Sequence, residues 1–124
     1  SEQDRLTLVE TAISGDPSFF LGTDSAPHPT HAKYGKDAKA GIFNAAYGLE
    51  VIAEIVATEN KLDNLSAFTS VNGATFYGYE PSQENITLHR SSLDPERATH
   101  ISTENGNQVV LFGAEEASQW TIST

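Results

Sequence analysis

Apolar residues recur along the chain with two periods. Leu6, Val9, Ala12 and Ile13 fall on one face at helical spacing, which predicts a helix over 2–14. Ser1 is placed to cap it, Glu2 and Asp4 suit its first turn, and Gly15 with Asp16-Pro17 ends it. Residues 18–23 are continuously apolar or small and predict a short strand of the kind buried in a parallel sheet. A polar loop runs from Asp24 to Lys39. Residues 41–58 predict the clearest helix, with a wide apolar face from Ile42 to Val56 and with Glu50 and Glu54 opposite. A further helix is predicted over 62–71, closed by Asn72-Gly73, then a helical turn from Ala74 to Tyr77 that leads to Gly78.

The pattern then changes. Ile86-Thr87-Leu88, Val109-Val110-Leu111-Phe112 and Trp120-Thr121-Ile122 are short β-like runs, punctuated by Asp94-Pro95 and Asn105-Gly106. The order helix, strand, loop, helix, helix matches the last unit of a β/α barrel with its closing helix. The fold class expected is therefore α/β. It comprises the C-terminal segment of a (β/α)8 barrel over 1–83 and a small β-rich extension over 84–124, packed on the barrel's outside. One parallel strand with one crossover helix cannot close a sheet, so the chain reads as the C-terminal portion of a larger barrel.

Bulk composition narrows the function. The 124 residues suffice for one core, and 38% hydrophobic content does not suggest disorder. Seventeen acids against seven bases give a formal charge of −10, which argues against nucleic acid and against an anionic membrane surface. There is no cysteine, so disulfides and thiolate metal sites are excluded, and a reducing compartment fits. No apolar run approaches the ~18 residues needed to span a bilayer. The polar N-terminus is unlike a signal peptide, so the sequons at Asn64 and Asn85 are read as chance and the expected location is the cytoplasm.

The chemistry concentrates after the predicted strand. Asp24, at a strand end, can ligate a divalent metal and move a proton; it can equally be a turn Asp bonded to the next backbone groups. His28 can fold back past Pro27 to hold an anion or metal, or lie free on a loop. Asp24, His28 and His31 are too loosely spaced for a self-contained metal site, and His89 and His100 read as surface residues. Lys33, Lys36 and Lys39 form a modest positive patch, read first as a solvated loop. Ala40-Gly41 opens the long predicted helix, where small residues allow a carboxylate to approach free N–H groups; a plain helix start is the alternative.

These residues resemble a known family. Phe20-Leu21-Gly22-Thr23-Asp24-Ser25-Ala26-Pro27-His28 and Ala40-Gly41-Ile42-Phe43-Asn44-Ala45 look like the C-terminal segment of dihydroorotases of the stand-alone bacterial and fungal type. Phe68-Thr69-Ser70-Val71-Asn72-Gly73, Phe76-Tyr77-Gly78 and the closing Ser118-Gln119-Trp120-Thr121-Ile122 extend the likeness. The resemblance implies an amidohydrolase barrel with a binuclear zinc centre. It also implies a hydrolase of pyrimidine biosynthesis that reversibly cyclises N-carbamoyl-L-aspartate to L-dihydroorotate, with a homodimeric state. By resemblance, Asp24 binds one zinc, takes a proton from the bridging hydroxide and returns it to the ring nitrogen. His28 and the Ala40 backbone hold the substrate.

The family's remaining ligands are a His-x-His pair, a carboxylated lysine and two further histidines, and none has a counterpart among His28, His31, His89 and His100. Nor do the arginine and asparagine that share the substrate carboxylate. Lys39 stands where relatives often carry a small residue or cysteine. The chain alone is therefore expected to be inactive without the remaining barrel as its partner. Two rivals stay open: another cyclic amidase, such as a hydantoinase or allantoinase, and a non-catalytic scaffold of dihydroorotase type.

Overall fold

The computed structural model describes residues 1–91, 96–117 and 119–124. The expected turn at Asp94-Pro95 and the Ser118 position lie outside the described residues. Helix α1 spans Glu2–Ala12, and Ser1 caps it through a reciprocal capping box with Asp4. Its expected apolar face is not buried: no residue of α1 lies in the core, and Leu6 is 40% exposed. Gly15 adopts φ +77, and Asn64 Nδ2 donates to the Ile13 carbonyl, so the exit from α1 is held by a side chain 51 positions away.

The strand expected at 18–23 does not form a ladder. The segment is extended, and the Leu21 N–H donates to the Phe68 carbonyl at 2.9 Å. The apolar pattern is genuine, but a strand exists only with a paired neighbour, and among the described residues none runs beside it. The loop from Asp24 contains a single helical turn, α2 (Thr30–Lys33), tied to the tail by Thr30 Oγ1 donating to the Gln108 carbonyl at 2.8 Å.

Helix α3 spans Gly48–Thr58, not 41–58. Phe43 instead forms a parallel bridge with Leu111, and Phe112 N–H donates to the Phe43 carbonyl. The apolar residues before Gly48 therefore pair with the tail, and Ala40-Gly41 does not begin a helix. Nor do the two glutamates face solvent. Glu50 is only 6% exposed, and Glu54 accepts from Trp120 Nε1 at 2.6 Å. The tail covers the α3 face that the pattern marked as polar.

The expected stop at Asn72-Gly73 is absent as well. A 3-10 turn (Leu62–Asn64) passes into a π-helical turn (Ala67–Val71) and on into α4 (Asn72–Tyr77), which ends at Gly78 with φ +74. Asn72 is buried and donates to the Phe19 carbonyl at 3.0 Å. A side chain that satisfies buried carbonyls can sit inside a helix despite its poor propensity.

Among the described residues the tail carries four short strands. Strand β1 (Thr87–Arg90) pairs antiparallel with β4 (Trp120–Ser123), and β2 (His100–Ser102) pairs with β3 (Gln108–Val110). Asn105-Gly106 lies in the β2–β3 connection, with Gly106 at φ +75 and Gly106 N–H donating to the Thr103 carbonyl. Strand β2, short and wholly exposed, had no sequence signal. His89 and His100 are surface residues bonded to Ser123 and Thr99.

The core lies between α3 and this tail: Ala53, Val56, Val109, Leu111, Ala114, Ala117 and Trp120 are all buried. Arg97 donates to the Ala117 and Trp120 carbonyls and lies 4.8 Å from the Tyr47 ring centroid, stapling the tail to the start of α3. A methyl at Gly113 would lie 2.6 Å from Val51 Cγ2, so the tail's turn presses directly on α3. No helix among the described residues is long and apolar enough to cross a membrane.

Trp120→Ala removes the largest side chain of this core and leaves Glu54 without its donor. We expect it to cost about 3–5 kcal/mol of stability, read as a lowered denaturant midpoint. A second expectation concerns pH. The Ser18 N–H donates to Asp16 Oδ1 at 2.8 Å and holds the Asp16 carboxyl below the usual range. Because the folded value is the lower one, this contribution is complete above the unfolded carboxyl value, about 3.9, and is lost as pH falls through the folded value. Melting curves of the wild type and Asp16→Ala should therefore stay apart by a constant margin from pH 6 down to about 4 and converge only as pH falls further, through the lowered folded value.

Candidate functional site

Asp24 follows directly on the extended segment. Its backbone is at φ +42, and only Asn60 shares a positive φ among the described non-glycine residues. Asp tolerates this region better than most side chains, at a cost of roughly 1–2 kcal/mol. The residue is exposed, and its carboxylate makes no hydrogen bond or ion pair among the described residues. The turn-Asp alternative needs a carboxylate bonded to the following backbone, and no such bond is present.

Asn44 fixes the residue before it. Its Nδ2 donates to the Thr23 carbonyl at 2.8 Å, across 21 positions of sequence. Two buried polar atoms beside this contact lack a partner among the described residues: Ser25 Oγ and Asn44 Oδ1. Each such atom costs on the order of 1–3 kcal/mol if it stays unsatisfied, so the polar surroundings of Asp24 are incomplete within these residues.

His28 and the Ala40-Gly41 strap lie side by side. The Ala26 N–H donates to the Ile42 carbonyl at 2.8 Å. A methyl at Gly41 would fall 2.6 Å from Ala26 Cβ and 3.7 Å from His28 Cδ2, and Gly41 is at φ +113. Glycine is required there twice over, by space and by backbone. His28 is half-buried and forms one wall of a recess of about 140 Å³ with Lys33, Ile42, Phe43, Val109 and Phe112. Ligand pockets usually run to ~300–1,000 Å³, so this recess is part of a site at most. Asp24 does not line it.

The lysines do not act as one patch. Lys36 and Lys39 are exposed, whereas Lys33 turns inward and donates to the Gly41 carbonyl. His31 is exposed on α2. Among the described residues no three His, Asp or Glu side chains converge on a point where a metal could sit. Asp24 is thus available as a single hard oxygen ligand, with the rest of any coordination sphere drawn from elsewhere. Sequence reasoning assigned no role to Asn44 or Ser25 and took Lys33 for a solvated cation. Asn44 and Lys33 act on backbone carbonyls, which leaves no motif to read.

No protein-family model matches the chain. Curated relatives do. The dihydroorotase of Erythrobacter litoralis is 42% identical over 121 residues, a match that covers 98% of this chain and 34% of that protein. The dihydroorotase of Vibrio parahaemolyticus is 43% identical over 117 residues, covering 93% and 33%. The chain thus spans about a third of the length of the relatives it matches. Among solved structures, Saccharomyces cerevisiae dihydroorotase in complex with 5-fluoroorotic acid superposes with a TM-score of 0.80 at 28% identity, over 97% of this chain and 34% of that one. Dihydroorotase from Campylobacter jejuni gives 0.76 at 29% identity, over 100% and 35%. On sequence and on fold alike, the chain matches the dihydroorotases along its whole length and corresponds to the C-terminal third of theirs.

Proposed function

We propose that this segment supplies the proton-moving carboxylate and part of the substrate pocket of a zinc-dependent dihydroorotase. The observation that carries the reading is Asp24: an exposed, unpaired carboxylate at positive φ, inside the block Gly22–His28. In this reading residues 1–83 are the last part of an amidohydrolase β/α barrel, with 18–23 as its final strand. Residues 84–124 are a β-rich extension packed on it. The remaining barrel pairs with 18–23, supplies the other metal ligands and completes the polar surroundings of Ser25 and Asn44. A cytoplasmic homodimer belongs to the same reading, on resemblance.

The chemistry follows from the residue types. Zinc, when bound, supplies Lewis-acid polarisation of the ring carbonyl and a more acidic water. Asp24 would serve as one oxygen ligand. As water adds to the carbonyl carbon of L-dihydroorotate, a C–O bond forms and the ring C–N bond breaks. Asp24 accepts the proton from the attacking oxygen and delivers it to the departing ring nitrogen, giving N-carbamoyl-L-aspartate. Ring closure runs the same transfer backwards. His28 and the Ala40 backbone hold the carboxylate that stays spectator to the reaction, one through a ring N–H and the other through its main-chain N–H.

The test uses the full-length protein that carries this segment, loaded with zinc. Asp24→Asn keeps size and one oxygen but cannot shuttle the proton; kcat should fall by about 10²–10⁴-fold. Near-normal turnover would remove the assigned role. His28→Ala should raise KM for dihydroorotate by roughly 10-fold or more and leave hydantoin, which has no carboxylate, unaffected.

A further inference from the structure

The chain from Ala32 to Gly41 is closed on itself twice. The Lys39 N–H donates to the Ala32 carbonyl at 3.0 Å. Lys33, the last residue of α2, folds back so that its ammonium donates to the Gly41 carbonyl and lies 3.5 Å from the Lys39 carbonyl. These two acceptors stand on either side of Ala40. Gly41 is wedged against Ala26, and Ile42 accepts from the Ala26 N–H, so the strap is also pinned on its far side.

Ala40 itself differs from its neighbours. It is exposed, and its N–H and carbonyl make no hydrogen bond among the described residues. Three surrounding residues are fixed while the polar groups of the one between them stay free. The partner choice of Lys33 points the same way. The chain offers seventeen carboxylates, each a stronger partner for a cation than a neutral carbonyl. Lys33 spends a half-buried charge on two carbonyls instead. That arrangement gives up electrostatic energy and gains a rigid backbone.

We infer that Lys33 is a positioning residue: by holding the Lys39 and Gly41 carbonyls it presents the free backbone of Ala40 to the carboxylate end of an anionic cyclic-amide substrate. The inference rests on the dihydroorotase reading above. Lys33 touches the backbone, not the substrate, so its effect belongs to substrate binding. The transfer of the proton at Asp24 proceeds without it.

The experiment measures zinc content and steady-state hydrolysis of L-dihydroorotate by the full-length protein and its Lys33→Met variant. Methionine preserves length and apolar stem but removes every donor. The expected result is a KM raised about tenfold, with kcat within about threefold and zinc unchanged; displacement by a fraction of an ångström suffices for an effect of this size. An unchanged KM in an active enzyme overturns the positioning role and leaves the dihydroorotase reading intact. Equal losses in kcat that follow lost zinc also overturn it, because they mark a purely structural residue. Absence of dihydroorotate turnover in the unsubstituted protein removes both. Should Lys33→Met fail to fold, Lys33→Gln decides: its single amide donor group predicts an intermediate rise in KM, and an unchanged KM overturns the role.

Discussion

The tail must close on α3, and the contact that makes it do so is the Trp120 indole against the Glu54 carboxylate. A buried indole N–H needs an acceptor, and a carboxylate that the tail partly covers needs a donor. Each meets the other's need, with Arg90 adding a cation 3.4 Å from the same carboxylate and 5.8 Å from the Trp120 ring centroid. Val109, Leu111, Ala114 and Ala117 are then carried onto Ala53 and Val56. The His28 side of the candidate site hangs on this closure, since Pro29 bridges Val109 and Phe43 bridges Leu111.

Other parts of the chain have no such closure. Helix α1 buries nothing, Phe19 is 46% exposed, and the stacked rings of Phe20, Phe76 and Tyr77 leave both residues of α4 largely open. In the proposed arrangement residues 18–23, which include Phe19 and Phe20, pair with the remaining barrel. Exposed aromatics on this scale mark a surface meant for coverage, and their position agrees with the extended, unpaired state of residues 18–23.

Much of this was legible in the chain itself. The cap at Ser1 and the Asn105-Gly106 connection each rest on a local rule that tertiary packing did not disturb. Where local rules misled, a distant partner had intervened. The start of α3 shifted to Gly48 because Phe43 found Leu111, and Glu50 and Glu54 turned inward because the tail covers them. Asp24 and His28 could be singled out because a carboxylate and an imidazole are side-chain types suited to ligation and proton transfer. Lys33 and Asn44 could not, because they address carbonyls, and every residue has one.

The π-helical turn at Ala67–Val71 has a wider meaning than a local irregularity. It carries one residue more than an α-helix would for the same turn, so it shifts the phase of everything that follows: a reader counting by 3.6 loses register at Val71, where the helix seems to stop. The same stretch offers the Phe68 carbonyl sideways to Leu21, and the re-phased Asn72 amide reaches the Phe19 carbonyl. A helix is here standing in for the edge of a sheet. The path of residues 19–21, which leads into Asp24, is thereby tied to the phase of that helix: adding or deleting one residue between Leu65 and Asn72 would carry the Phe68 carbonyl and the Asn72 amide away from their partners.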